Sequence, residues 1–311
     1  MPSPVTYNSI RRLVADVTNE PGVKKRRDFS TKLKLQLSDE NVLKRLVAEA
    51  TVERTNWPEE DSIAARKCRA LSGMWASVFQ AVINMVRKNT SNTKVKLVME
   101  DVTLPLELLA AFEKANAIMN DPSVAIPLLP RKSVRYLLKF ILDFLAMEET
   151  SPVHLDLLTA LERVCAGEDF VCFFKYHYDF ERIVSELLEF LNPDVAAKNI
   201  ELFQGAAKAL HALTKTASAL GIQMHLFANG IHGIITDYVS VCLTNSDQRL
   251  QQEIHAYLYS ILADTIYQHP DYCMASMKHS GATLLEHVRM IYPTTSSMVK
   301  QALNGFLLSY L

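Results

Sequence analysis

Apolar residues recur at three- and four-residue steps along almost the whole of this 311-residue chain, and strand-like alternation is nearly absent. This spacing is typical of amphipathic helices, each of which turns one apolar face toward its neighbours. The clearest stripe follows Ser62, which can cap a helix, and consists of Leu71, Trp75, Val78, Phe79, Val82, Ile83 and Val86. The pattern predicts an all-α protein.

Three short helices are predicted near the start of the chain. Pro21-Gly22 separates the first from the second, which ends near Ser38-Asp39, where a third helix can be capped. Their apolar residues are, in order, Ile10, Leu13, Val14 and Val17; then Leu33, Leu35 and Leu37; then Val42, Leu43 and Leu46.

The second half of the chain is more regular. Helix pairs are predicted to begin near Arg131, Tyr178, Ile222 and Tyr272, about 44 to 50 residues apart. HEAT and armadillo repeats have a similar period of about 40 to 47 residues. Short loops are indicated at Ser151-Pro152, Asn192-Pro193, Gly221, residues 245–247, His269-Pro270 and Pro293. We therefore expect an α-solenoid of antiparallel helix pairs, with a compact helical bundle as the alternative.

These patterns divide the chain into three predicted regions. Residues 1–55 hold the short N-terminal helices, residues 56–130 hold the helix with the clear apolar stripe, and residues 131–311 hold the repeats. The chain stops at Phe306 to Leu311 within an apolar helical pattern, so we expect it to be a fragment of a longer protein.

Composition narrows the classes of protein. Only 9 glycines and 12 prolines occur, too few for a many-stranded sheet. The net charge of -1 provides no general attraction to nucleic acid or to an anionic membrane. The 5 cysteines include no C-x-x-C pair, which favours a reducing compartment. Charged residues interrupt every long apolar stretch, so no transmembrane helix is predicted.

Strong catalytic motifs are missing from the sequence. There is no Walker A loop, no G-x-G-x-x-G, no G-x-S-x-G and no H-E-x-x-H. Asp169-Phe170 and Asp179-Phe180 are followed by Val171 and Glu181, where the kinase metal motif requires glycine. We predict that this chain by itself is not an enzyme and holds no cofactor.

The histidines and cysteines do not form a recognisable metal site. The pairs His225 and His232, His279 and His287, and Cys165 and Cys172 are seven or eight residues apart. Ligands that share one helix face are usually three or four residues apart, and closed zinc sites use short paired spacings. We expect histidines on repeat surfaces and cysteines in the core. The aromatic residues between 170 and 180 form either a packed corner between repeats or, less favoured, a peptide groove.

The sharpest charge feature is the run Lys24, Lys25, Arg26 and Arg27 near the start of the second helix. Four cations at this position meet the positive end of the helix dipole, so they gain nothing locally. Three interpretations remain open: a nuclear-import signal, a phosphate-binding strip, or a solvated helix start.

Two blocks of this sequence resemble the N-terminal region of the ATM family of phosphatidylinositol-3-kinase-related protein kinases. The first looks like the TAN motif of that family and comprises the basic run, with Leu13 and Val17 before it and Leu33, Leu37 and Asp39 after it. The second, from Trp75 to Phe79, is similar to the W-x-x-V-F helix that follows the motif. The resemblance covers about the first 150 residues. We expect Trp75 and Phe79 to be buried anchors between helices.

The resemblance implies the interaction and scaffolding segment of a nuclear serine/threonine kinase, with some of the protein in the cytoplasm. The kinase would act in DNA-damage signalling and telomere maintenance, and its kinase domain is absent from this chain. Expected partners are the remainder of the same kinase chain and an adaptor tail of the nibrin type. Direct contact with nucleic acid stays open. The alternative is an unrelated HEAT-repeat adaptor in transport or phosphatase scaffolding.

Overall fold

The all-α prediction is confirmed, because every regular element among the described residues is a helix and none of those residues lies in a strand. The computed structural model describes residues 7–20, 22–39, 41–42, 138–139, 141–166, 180–216, 221–242, 248–268, 270, 277–278 and 280–310. The chain forms two compact units, Met1–Phe140 and Ile141–Leu311, which are described separately.

The first unit contains a pair of packed helices, α1 (Tyr7–Asn19) and α2 (Val23–Ser38). The predicted break at Pro21-Gly22 lies between them, and Gly22 is the N-cap residue of α2. Ile10, Leu13 and Leu33 are buried, as their spacing predicts. Leu35 is 67% exposed, although we had grouped it with Leu33. Residues that are two positions apart in a helix are separated by about 200° around its axis. Leu33 and Leu35 therefore lie on opposite faces of α2.

The predicted cap at Asp39 is confirmed. Asp39 Oδ1 accepts hydrogen bonds from the backbone N–H of Asn41 at 2.8 Å and of Val42 at 3.4 Å. These are the second and third positions after the cap, whose N–H groups have no partner within a helix. A short polar side chain thus ends α2 and begins the next helical segment.

Several predicted elements lie outside the described residues. They include the third helix beyond Val42, the helix that carries Trp75 and Phe79, and the aromatic residues 170–179. These stay predictions, as do the domain boundaries at residues 55 and 130.

The second unit is an array of helices. It begins with helical residues 141–145 and a short 3-10 helix, Glu148–Val153. The helices that follow are α3 (His154–Cys165), α4 (Phe180–Phe190), α5 (Pro193–Lys198), α6 (Ile200–Thr216), α7 (Ile222–Ala228), α8 (Ile231–Cys242), α9 (Gln248–Gln268), α10 (Ser280–Ile291) and α11 (Ser297–Tyr310). None of the helices in the described part of the chain combines the length and apolar character that a membrane span needs.

Four of these helices pack in chain order. Helix α6 contacts α3 on one side and α9 on the other, and α9 contacts α11. The remaining helices are related in a similar way, because α4 contacts α7 and α8 contacts α10. Helices α3, α6, α9 and α11 therefore form one row. Helices α4, α7, α8 and α10 lie between the members of this row in the sequence.

Two of the predicted loops, at Asn192-Pro193 and at Gly221, coincide with the starts of helices. Asn192 Oδ1 accepts a hydrogen bond from the N–H of Asp194 at 2.9 Å, and Pro193 occupies the first position of α5. Gly221 has φ of +71°, a left-handed conformation that favours glycine, and Ile222 then begins α7 as predicted. Pro152 differs from the prediction, because it lies within the 3-10 helix and not in an open loop.

Large aromatic residues pack between helices, both within the row and between the row and an intervening helix. Phe203 on α6 stacks on Tyr238 of α8, with ring centroids 4.4 Å apart. Tyr259 on α9 contacts Phe306 on α11 at 5.3 Å. All four side chains are at most 2% exposed. Burial of one such side chain contributes on the order of 1.5 to 3 kcal/mol, so these contacts fix how the helices pack.

Candidate functional site

The predicted basic cluster lies at the start of α2. The structure places Lys24, Lys25, Arg26 and Arg27 among its first residues, and the side chains of Lys24, Lys25 and Arg27 are exposed. No acidic residue lies in the first turn, and no side chain caps the helix start. The cluster therefore keeps its charge at the surface of the helix pair.

The aliphatic residues of the TAN-like pattern have a structural role here. Leu13 and Leu33 are buried, at 6% and 0% exposure, and Asp39 is the cap described above. Val17 and Leu37 occupy helical positions on α1 and α2. Within the pattern, Leu13 and Leu33 are thus core residues, and Lys24, Lys25 and Arg27 are exposed.

A groove that the sequence had not indicated lies on the row of helices in the second unit. It has a volume of about 460 Å³ and is formed by α6, α9 and α11. Its lining consists of His211, Lys215, Ala256, Tyr257, Ser260, Ala263, Asp264, Met298, Gln301, Ala302 and Gly305.

Small residues leave the space for this groove. Ala256 and Ala263 on α9 oppose Ala302 and Gly305 on α11. A Cβ placed on Gly305 would lie 3.7 Å from Cβ of Ala263, which is ordinary van der Waals contact. The two helices therefore approach closely without large side chains between them at this face. Met298, 46% exposed, stands at the edge.

The polar groups of the groove are partly desolvated. Burial raises the pKa of Asp264, while Lys215 acts in the opposite direction. Burial, assisted by Lys215, lowers the pKa of His211, which favours the neutral ring near pH 7. The His211 ring lies 5.6 Å from the Tyr257 ring, centroid to centroid. A ligand in the groove would thus contact small apolar side chains beside the carboxylate of Asp264 and the ammonium group of Lys215.

Polar bridges continue from the groove along the row of helices. Lys208 Nζ on α6 lies 3.3 Å from Glu162 Oε2 on α3. Gln204 Nε2 on α6 donates a hydrogen bond of 2.8 Å to Glu253 Oε2 on α9. The charges of Lys208, Glu253 and Glu162 all act on the pKa of Tyr257, which burial raises, so these groups lie near the groove.

The groove contains Ser260, His211 and Asp264, the residue types of a hydrolytic triad. Among the described residues, no hydrogen bond joins any two of these three side chains. A triad depends on hydrogen bonds from nucleophile to base and from base to carboxylate. In the part of the chain that the structure describes, these three side chains are therefore not joined into such a hydrogen-bonded triad.

Metal chemistry has no candidate among the described residues, where no group of three or more His, Cys, Asp or Glu side chains is placed to hold an ion. Cys165 is fully buried, as we expected for a core cysteine, and burial raises the pKa of its thiol far above the usual range. His279 and Cys172 lie outside the described residues.

Three of the described histidines, His154, His255 and His287, are buried, which corrects the expectation that histidines lie on repeat surfaces. His255 on α9 and His287 on α10 are 6% and 3% exposed, and their rings lie 4.8 Å apart. Burial lowers their pKa values to about 3 and about 4, with His287 also acting on His255. Tyr259 Oη lies 2.8 Å from His287 Nδ1, so a hydrogen bond offsets part of the cost of burying that ring.

Sequence reasoning missed the groove because its residues carry no motif. Ala256, Ser260 and Ala263 recur at helical spacing on α9, and Ala302 and Gly305 do so on α11. Such small residues are common on any close-packed helix face. The usable signal was their occurrence on two helices that begin 49 residues apart.

The comparisons with known proteins add no relative. No protein-family model, no curated protein and no solved structure matches this chain. The functional conclusions therefore rest on the residues and the geometry described above.

Proposed function

We propose that this chain is a protein-binding scaffold of the α-solenoid type, and that it forms the N-terminal interaction segment of an ATM-like DNA-damage-response and telomere-maintenance kinase. The observation that carries the proposal is the row α3, α6, α9 and α11, in which each helix contacts the next and three of the four helices line a groove. Faces of this kind are the usual binding surfaces of helical-repeat proteins.

The spacing of the row supports a repeat architecture. The four helices begin at His154, Ile200, Gln248 and Ser297, so successive starts are 46, 48 and 49 residues apart. Each contacts the next, and the intervening helices include the contacting pairs α4 with α7 and α8 with α10. Stacking of similar units, each in contact mainly with its neighbours, is what distinguishes a solenoid from a bundle around one centre.

The chemistry of the groove supports a peptide ligand. Its volume of about 460 Å³ suits a few side chains of a bound segment. The small floor residues accept apolar side chains, while Asp264 and Lys215 offer a carboxylate and an ammonium group to the polar atoms of a peptide. A groove across three helices of a repeat array can hold a segment that crosses the helices.

The assignment to an ATM-like kinase rests on the TAN-like and W-x-x-V-F resemblances in the sequence. It implies a nuclear protein whose partners are the rest of the kinase chain and a nibrin-type adaptor tail. The competing candidate is a HEAT-repeat adaptor in transport or phosphatase scaffolding, favoured by the repeat period alone. Sequencing the complete messenger RNA separates the two, because only an ATM-like protein requires a kinase domain encoded downstream.

Calorimetric titration of a nibrin-type tail peptide into the protein tests the groove. Met298→Glu introduces a charge at its edge, and we expect it to weaken peptide binding at least tenfold. Met290→Glu is the matched control, since Met290 is also an exposed methionine, at 57%, but lies on α10 outside the groove lining.

Equal binding by both variants would show that the groove is not the peptide site. Absence of binding to the wild-type protein would remove the nibrin-type tail as a partner. A kinase domain in the same reading frame would still support the ATM-like assignment in that case.

A further inference from the structure

We propose that the exposed face of α2 is a docking surface for an acidic peptide segment that carries one apolar anchor residue. This face belongs to the first unit, and the inference does not depend on the groove or on the function proposed above. It is argued from the charge, exposure and helical position of the residues on α2.

The exposed side chains that the structure describes on α2 lie on one side of the helix. They are Lys24, Lys25, Arg27, Asp28, Thr31, Lys32 and Leu35. At about 100° per residue they span roughly 160° of the helix surface, centred opposite the buried Leu33. Lys24, Lys25, Arg27 and Lys32 thus belong to one continuous face, which we call the cationic face.

The lysines of the cationic face are not neutralised by any described residue. Four cations accompany a single carboxylate, Asp28. Lys24, Lys25 and Lys32 make no ion pair or hydrogen bond, and this holds for contacts with every part of the chain that the structure describes. The positive end of the helix dipole adds to the potential at the first turn, where no acidic residue lies. Carboxylates on a partner would therefore meet unpaired ammonium groups.

An apolar residue completes the surface. Leu35 is 67% exposed and lies near the middle of the cationic face, one turn beyond Lys32 and about 16 Å along the axis from Lys24. A peptide that spans this distance can place carboxylates opposite the lysines and an apolar side chain against Leu35. Removal of both apolar surfaces from water would add to the electrostatic attraction.

The same features favour a peptide over a nucleic acid. A nucleic-acid backbone carries evenly spaced phosphates, and Asp28 in the middle of the face would repel them. The chain as a whole has a net charge of -1 and supplies no wider positive field. Leu35 has no use in contact with a phosphate backbone. A peptide can leave a neutral residue opposite Asp28.

Fluorescence anisotropy with defined probes tests the proposal. The first probe is a labelled twelve-residue peptide of glutamates with one central leucine, and the second replaces that leucine with serine. A twelve-nucleotide single-stranded DNA is the third. We expect the leucine probe to bind at least fivefold more tightly than the serine probe and more tightly than the DNA.

Matched variants locate the contact. Lys24→Ser, Lys25→Ser and Lys32→Ser together should weaken binding of the leucine probe at least tenfold, and Leu35→Ser should remove the preference for leucine over serine. Leu308→Ser is the control for Leu35, because Leu308 is 85% exposed in the second unit. Lys198→Ser with Lys278→Ser removes two exposed lysines of that unit and should change nothing.

Charge reversal guards against a loss of binding through misfolding. Lys24→Glu, Lys25→Glu and Lys32→Glu together should bind a lysine peptide with a central leucine and lose the glutamate peptide. DNA binding tighter than that of the leucine probe, equal binding of the leucine and serine probes, or the same affinity after charge reversal would each overturn the proposal.

Discussion

Helix α2 of the first unit and helix α9 of the second unit differ in how many of their described side chains are exposed. Among the α2 side chains that the structure describes, seven are exposed, four of these seven are cationic, and Leu33 is buried. In α9, at the centre of the row, Ile254, Leu258 and Ile261 are among many residues that are almost wholly buried. Helix α9 is thus stabilised by contacts with several neighbouring helices, whereas α2 presents a face of roughly 160° to the outside.

The largest effect should follow removal of a buried side chain from the row. Leu210 on α6 is 0% exposed, and α6 contacts both α3 and α9. Leu210→Ala should lower the free energy of unfolding by about 2 to 5 kcal/mol through lost burial and a cavity. Urea unfolding measures this. Lys215 is exposed on the same helix, so Lys215→Ala should change the free energy of unfolding by no more than about 0.5 kcal/mol. Equal losses of stability in the two variants would show that burial in the row is not what stabilises it.

The buried residues His255 and His287 should make the stability of the second unit sensitive to acid. Their folded pKa values of about 3 and about 4 lie below the value of about 6.5 expected in the unfolded chain, so only the unfolded chain gains protons between these limits. The free energy of unfolding should therefore fall as the pH falls below about 6.5, by on the order of 1 kcal/mol per pH unit and per ring.

A variant comparison isolates that effect. His255→Leu should flatten the pH dependence between pH 6 and 5, measured by urea unfolding at each pH. Leu262→Ala, a core change on the same helix, should lower stability about equally at both pH values. An unchanged slope in His255→Leu would show that His255 does not resist protonation.

A smaller effect is expected at the end of α2. Asp39→Ala removes the acceptor for two backbone N–H groups and should cost about 1 kcal/mol. Asp39→Asn keeps a side-chain oxygen that can cap the helix, so its loss of stability should be only a few tenths of the loss in Asp39→Ala. Hydrogen exchange at Asn41 and Val42 reports the cap directly, and equal protection in both variants would mean that the hydrogen bonds are not what stabilises this junction.

The smallest effect should come from the cationic face. Lys24→Ala with Lys25→Ala removes exposed, unpaired charges near the positive end of the α2 dipole. Stability should be unchanged within about 0.5 kcal/mol or slightly increased, as judged by thermal unfolding. A large loss would assign the lysines to folding and not to binding.

Helix boundaries could be predicted from the sequence where a single residue determines where a helix begins or ends. Asp39 was expected to cap a helix and does so, and Gly221 marks the start of α7. Leu35 was misplaced because a run of alternating leucines resembles a stripe until it is set on a helix, where alternate positions diverge.

Features that depend on several helices were not predictable. The burial of His255 and His287 follows from the packing of α9 against its neighbours, which no local spacing reveals. The groove likewise exists because small residues on α9 and α11 meet, and each set alone is unremarkable in composition. Tertiary packing, not helix propensity, creates both.

Hydrogen–deuterium exchange of the protein with and without a bound nibrin-type tail peptide tests the central claim most directly. The scaffold account predicts that peptide binding slows exchange around residues 211–215, 256–264 and 298–305, which line the groove, while exchange in α4 and α5 stays the same. Protection confined to α4 and α5, or no protection at saturating peptide, would contradict the claim that the groove on α6, α9 and α11 receives the partner.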